Sequence, residues 1–208
     1  MSPFTIYELA IKNMVCSRCL KVIRQELEGL GVEVLELELG KLKFKFPNNK
    51  ITLMQIKAAL EKDEFEIATN KEEKMAEMIK LILLETVNNL PIDRQQKLSV
   101  HLSKELKKDY WSLSKAFSKN EEVTIEQYFI RLRIEKAKEL IEYNELNFSE
   151  IAYELGYSSI SNLSRQFKQV SEMSMTEYKQ LDNRNRIPLN KITQTLPKIG
   201  QAGTVNKL

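Results

Sequence analysis

The sequence predicts two domains of different class, an α+β unit of order βαββαβ over residues 1–68 and an all-α unit over residues 75–182. Two observations carry this. Up to residue 68 the apolar spacing switches between alternation and helical recurrence, and from about residue 71 it is helical throughout. The length, 208 residues, fits two domains of roughly 70 to 120 residues each. With 42% hydrophobic and 29% charged residues the chain can build buried cores, which excludes a wholly disordered protein.

Tyr7, Leu9 and Ile11 alternate as a strand does, and Leu20, Ile23, Leu27 and Leu30 recur at helical spacing before Gly31. Leu35 and Leu37 then alternate with glutamates. Gly40 marks a tight turn, and Leu42, Phe44 and Phe46 alternate with lysines up to Pro47, so the segment predicts a hairpin with one buried face. Leu53, Ile56 and Leu60 mark a second amphipathic helix, and a short run around Phe65 and Ile67 closes the unit as a last strand. This order predicts a ferredoxin-like sandwich, two helices on one antiparallel sheet.

Residues 69–74 read as a short linker. Beyond it Met75, Met78, Ile79, Ile82, Leu83 and Val87 form a helical stripe ended by Asn88, Asn89 and Pro91. Leu98, Leu102 and Leu106 predict the next helix, Leu113, Ala116 and Phe117 another, and Ile130, Ile134, Ala137 and Ile141 line a longer one. Ile151, Ala152 and Leu155 occupy a short helix stopped by Gly156, after which Ile160, Leu163 and Phe167 restart the period. The pattern predicts two helix-turn-helix units joined by the long helix. Residues 183–208 show no period and read as a basic, flexible tail.

Charge divides unevenly. Residues 1–68 carry 10 Lys+Arg against 10 Asp+Glu, residues 69–182 carry 17 against 19, and residues 183–208 carry 5 against none, so the net excess lies in the tail. No apolar run is long enough for a membrane span, and the first ten residues lack the charged head and apolar middle of a secretory signal. A soluble cytoplasmic protein with no membrane partner is expected. No Ser/His/Asp set, carboxylate pair or phosphate loop argues for an enzyme.

The only cysteines are Cys16 and Cys19, in M-V-C-S-R-C between the first strand and the first helix. A thiolate at a helix N-terminus is stabilised by free amides and the dipole. Two such thiolates on a short loop suit a soft ion that takes few ligands, with Cu(I) the leading candidate. Zn(II) fits less well, because a closed site takes four ligands and the one histidine, His101, lies in the other half. A dimer could pool four thiolates, and a redox dithiol is the rival reading. The loop N-M-V-C-S-R-C, with Met14, Cys16 and Cys19, resembles the heavy-metal-associated domain of copper chaperones, over about residues 4–68. The resemblance implies Cys16 and Cys19 as ligands, Met14 as a buried support and Phe65 facing the metal. Asn13 and Glu64 stand where that pattern has glycine.

In S-E-I-A-Y-E-L-G-Y-S-S-I-S-N-L-S-R-Q-F-K, the second helix leaves Ser159, Ser161, Asn162 and Arg165 to face outward, with Ser158 or Ser159 as its cap. These residue types read base edges in the major groove. With the F-K-Q-V-S-E-M-S-M-T-E-Y-K that follows, the segment resembles the AraC/XylS family of transcriptional regulators over about residues 72–182. L-S-K-E-L-K-K-D-Y-W-S-L-S-K-A-F aligns as the first of that family's two units. Glu172 and Met175 replace its glycine and proline, and Lys107 its first-turn glycine. The resemblance implies double-stranded DNA as partner, faced by Tyr110, Trp111, Ser114 and Lys115 from the first unit and by Ser159, Ile160, Ser161, Asn162 and Arg165 from the second. For Trp111 a core anchor is the alternative, and Ile160 either packs or touches a thymine methyl.

Together these readings predict a DNA-binding regulator responsive to Cu(I) or a similar soft metal, with a homodimer and a metal donor protein as possible partners. The alternative is a regulator whose first domain is a metal-independent docking or dimerisation module.

Overall fold

The structure is a computed structural model that describes residues 4–47, 51–182, 184 and 186–192. It divides into two compact units, Met1–Leu81 and Ile82–Leu208.

The N-terminal unit is mixed α/β, built on a small antiparallel sheet. In chain order it contains β1 (Phe4–Lys12), α1 (Ser17–Gly29), β2 (Glu33–Glu38), β3 (Lys41–Pro47), α2 (Leu53–Lys62) and β4 (Glu66–Ile67). The sheet order is β2-β3-β1-β4 with every pairing antiparallel. Register places Tyr7 opposite Phe44 and Thr5 opposite Phe46, and the rings of Tyr7, Phe44 and Phe46 stack at 5.4 to 6.0 Å. Ile23 and Leu27 of α1 and Ile56 and Leu60 of α2 close the core over Ile11, Leu42 and Phe44. Thr52 caps α2 reciprocally with Gln55.

One strand departs from the expected alternation. A bulge between Val34 and Glu36 turns Leu35 outward, 37% exposed, so that Val34 and Leu37 pack against the core instead of Leu35 and Leu37. An extra residue in one strand shifts every later side chain to the opposite face.

Within residues 69–74, read as a short linker, α3 (Lys71–Asn88) already begins. Asn70 Oδ1 accepts from the Glu73 backbone N–H at 2.8 Å, and the Glu73 carboxylate accepts from Thr69 N–H, a reciprocal start that a window of apolar spacing does not see. The division between the two units falls within this helix. Its buried face is Ala76, Ile79, Leu83, Leu84 and Val87, whereas Met78, expected in the stripe, is exposed.

The second unit is all helical. It continues with α4 (Leu98–Leu106), α5 (Tyr110–Glu121), α6 (Ile125–Tyr143), α7 (Phe148–Glu154), α8 (Ile160–Ser171) and α9 (Met175–Gln180), then a single 3-10 turn at Leu189–Lys191. Ile134, Ala137 and Ile141 of α6 share a core with Ile151, Ala152, Leu155, Leu163, Phe167 and Tyr178. Around α5, Leu113 and Phe117 are buried, with the Phe117 and Tyr128 rings 5.6 Å apart.

The tail was expected to lack structure throughout, and its first part does not. Arg186 pairs with Glu139 and Glu142 of α6, the Ile187 N–H donates to Glu135 Oε2 at 2.9 Å, and Ile192 is fully buried. Acidic positions on α6 hold this segment, which periodicity within the tail does not reveal. The rest of the expected tail, residues 193–208, lies outside the described residues.

Candidate functional site

The second helix-turn-helix is built by α7 and α8. Asn147 and Glu150 cap α7 reciprocally. The turn passes through Gly156 at φ +71, where an added Cβ would meet the Ile92 carbonyl oxygen at 3.0 Å, so a side chain there is opposed by both backbone conformation and space. Ser159 then caps α8, its hydroxyl accepting from Asn162 N–H at 3.3 Å. Leu163 and Phe167 are fully buried and fix the helix by one face.

The opposite face carries a chain of polar contacts. Asn162 Nδ2 donates to Ser158 Oγ at 2.6 Å, and Arg165 Nη2 donates to Asn162 Oδ1 at 3.0 Å. Ser159, Ser161 and Arg165 are exposed, and Ile160 is 39% exposed at the first helical position. The structure thus brings together all five residues expected on this helix. Ser158 joins them as a partner of Asn162, and Ser159, rather than Ser158, is the cap.

In the first unit Asp109 caps α5, accepting from the Ser112 N–H and hydroxyl, which hold its carboxyl below the ordinary value. Trp111 is 70% exposed, with the Lys115 ammonium 5.0 Å from its ring centroid, so it is not a core anchor. Ser114 is half-buried beside them. Tyr110 differs: its hydroxyl donates to Glu126 on α6, and burial together with that bond pushes its pKa well above the usual range. Its polar tip is therefore committed within the protein. Sequence reading missed Arg94, whose guanidinium lies 5.5 Å from the exposed Tyr153 ring and donates to the Tyr157 carbonyl at 3.4 Å. Its only signal was a basic residue in a polar stretch.

In the N-terminal unit Cys16 stands at the N-cap position of α1, its thiol making no capping bond, and Cys19 lies in the first turn, their Sγ atoms 3.9 Å apart. Desolvation pushes the Cys16 thiol up, but the Cys19 and Arg18 amides, the Cys19 thiol and the Arg18 charge outweigh it and lower it. Met14 is buried beneath, its sulfur accepting from Gly40 N–H at 3.2 Å. Asn13 takes φ +68, its N–H donating to Glu77 Oε1 and its side-chain amide to the Glu64 carbonyl, and Glu64 itself takes φ +64. Both positions are left-handed, as expected where glycine is usual. Phe65 is buried in the core. Among the described residues no group of three or more His, Cys, Asp or Glu could hold a metal ion, so the donor set is two thiols. It fits an ion of low coordination number and does not fit a closed four-ligand zinc site within one chain.

Compared with known families, residues 102–181 match the model described as a helix-turn-helix domain. The helical unit thus carries a helix-turn-helix domain. This domain belongs to DNA-binding transcription regulators, not to enzymes. Two solved structures are similar, each over 50% of this chain. The C-terminal domain of the two-component response regulator yesN from Fusobacterium nucleatum is 32% identical, covering 50% of this chain and 96% of that chain, with a TM-score of 0.44. A DNA-binding transcriptional dual regulator from Escherichia coli K-12 is 22% identical, covering 50% and 88%, with a TM-score of 0.43. No curated protein matches the chain.

The matched helix-turn-helix domain spans every expected DNA-facing residue, from Tyr110 to Arg165. Its closing turn survives the loss of glycine and proline: Glu172 takes φ +60 at the end of α8, and Ser174 caps α9 reciprocally with Glu177, leaving Met175 buried. Among the described residues no helix is long and apolar enough to cross a membrane.

Proposed function

We propose that the chain reads a specific double-stranded DNA sequence with α8 and α5 and that its N-terminal unit takes Cu(I), or a similar soft ion, on Cys16 and Cys19 to alter that reading. The observation that carries the DNA reading is the chain of exposed Ser158, half-buried Asn162 and exposed Arg165 on a helix whose other face is locked by Leu163 and Phe167. An asparagine amide and a guanidinium held in fixed orientation are suited to bidentate contacts with adenine and guanine. Trp111 and Lys115 supply an apolar and a cationic contact from the first unit, while Tyr110 positions α5 through Glu126.

The metal reading is supported by two thiols 3.9 Å apart at a helix N-terminus, one of them acidified, over a buried methionine. Cys16 and Cys19 would hold the ion, whose single positive charge would offset one of the two thiolate charges and whose bonds would tie the N-cap of α1 to its first turn. The sheet order β2-β3-β1-β4 with two covering helices supports a ferredoxin-like sandwich, and with the loop it supports a heavy-metal-associated domain. A metal donor protein and a homodimer are compatible partners, and a cytoplasmic location follows from the DNA reading.

A second reading is favoured by one observation. Phe4 and Ile6 on β1 are 48% and 60% exposed, an apolar patch suited to docking or dimerisation without metal. Selection from random duplex DNA with the full chain, with and without Cu(I), tests both. Recovery of one motif whose enrichment depends on Cu(I) supports the metal reading, metal-independent recovery supports the second, and no enriched motif contradicts sequence-specific binding.

A further inference from the structure

We propose that the cleft between α4, α6 and the 90–97 segment of the helical unit binds a small organic carboxylate with an apolar body. The cleft holds about 360 Å³, within the range of small-molecule sites. Ile92, Leu98, Phe129 and Ile130 give it apolar walls.

Two polar groups inside it lack the partners their burial calls for. Arg133 is sandwiched, its guanidinium carbon 4.9 Å from the Phe129 ring centroid and 4.4 Å from that of Tyr157. Its Nε is buried with no hydrogen-bond partner, and among the described residues it forms no ion pair. His101 Nε2 lies 3.3 Å from Thr86 Oγ, but its Nδ1 is buried without a partner. A desolvated guanidinium with no anion is costly and uncommon in a protein built only for stability. Held flat between two rings, it presents a planar fork that matches a carboxylate.

The ligand class follows from the remaining charges. Asp93 and Glu126 also line the cleft, each engaged by its own donor, the Gln95 N–H and the Tyr110 hydroxyl. With these carboxylates present, a dianion such as phosphate is disfavoured and a single carboxylate on Arg133 is not. Ile92 N–H donates to the Glu154 carbonyl at 2.8 Å and Arg94 to that of Tyr157, so the 90–97 wall of the cleft is tied to the end of α7 and the turn of the second helix-turn-helix.

The single histidine of the chain makes the test direct, since its ring signal in a ¹H–¹³C spectrum needs no assignment by mutagenesis. The full chain is titrated with benzoate, and in parallel with benzylammonium and benzyl alcohol. The expected result is a saturable shift of the His101 signal at millimolar benzoate, with none for the other two probes. Arg133→Gln abolishes it. Should that variant not fold, Arg133→Lys, which keeps the charge but loses the planar fork, is expected to weaken benzoate binding several-fold. No saturable shift with wild type, equal shifts with all three probes, or full binding by the folded variant overturns the proposal.

Discussion

Glu172 closes α8 at φ +60, a conformation that disfavours any residue with a Cβ. Lys107, Glu122 and Asn144 end α4, α5 and α6 in the same way. Left-handed backbone costs a non-glycine residue about 1 to 2 kcal/mol. Glu172→Gly is therefore expected to stabilise the chain by about 1 kcal/mol, read as a raised melting temperature. Gly156→Ala has the opposite sign, because its Cβ would also meet Ile92, and a loss of more than about 1 kcal/mol is expected in the same melt. On the DNA-facing side, Arg165→Ala should cost about 1 to 3 kcal/mol in affinity for the selected motif and relax preference at one base. Lys115→Ala should weaken binding across sequences alike and lower the salt slope by about 1. Filter or fluorescence binding at two salt concentrations separates the two.

Helix starts decide where the reading helices stand. Asp109 sets the start of α5 and its carboxyl lies below the ordinary value, held first by the Ser112 hydroxyl and then by the Ser112 amide, against a small desolvation effect. A carboxyl whose folded pKa is depressed stabilises the fold above the ordinary aspartate value, about 3.9, and loses that contribution as pH falls through the folded value. Asp109→Asn keeps a good cap but cannot titrate. Denaturant melts should show a stability deficit of the variant that is constant near neutral pH and shrinks below about pH 4. A deficit unchanged in acid would show that Asp109 does not contribute through its charge. Such elements were largely legible in the sequence: the alternation of Leu42, Phe44 and Phe46 and the spacing of Leu163 and Phe167 each place a buried face where the structure has one. The bulge at Leu35 was not, because its only trace is one leucine among glutamates. Nor was the start of α3, where Thr69, Asn70 and Glu73 act through side-chain to backbone bonds that carry no period.

At the scale of the whole molecule, two units of different class share one chain, and their division falls inside α3 rather than in a linker. Sequence could not place that division, since an amphipathic helix looks the same whichever core its apolar stripe serves. The site divides likewise. The outward face of α8 followed from the sequence because the inward face is unambiguous. The commitment of Tyr110 to Glu126 did not, since the partners are 16 residues apart and on different helices. The central claim is that a thiol pair in one unit governs DNA reading by the other. A coupling of this kind is typically worth about 1 to 3 kcal/mol, a change of about 5 to 150-fold in affinity. The most direct test is the dissociation constant for the selected duplex with and without Cu(I), under anaerobic conditions, for wild type and for Cys16→Ser, Cys19→Ser. The account predicts a change within that range for wild type and none for the double variant, and equal affinities in all four measurements would contradict it.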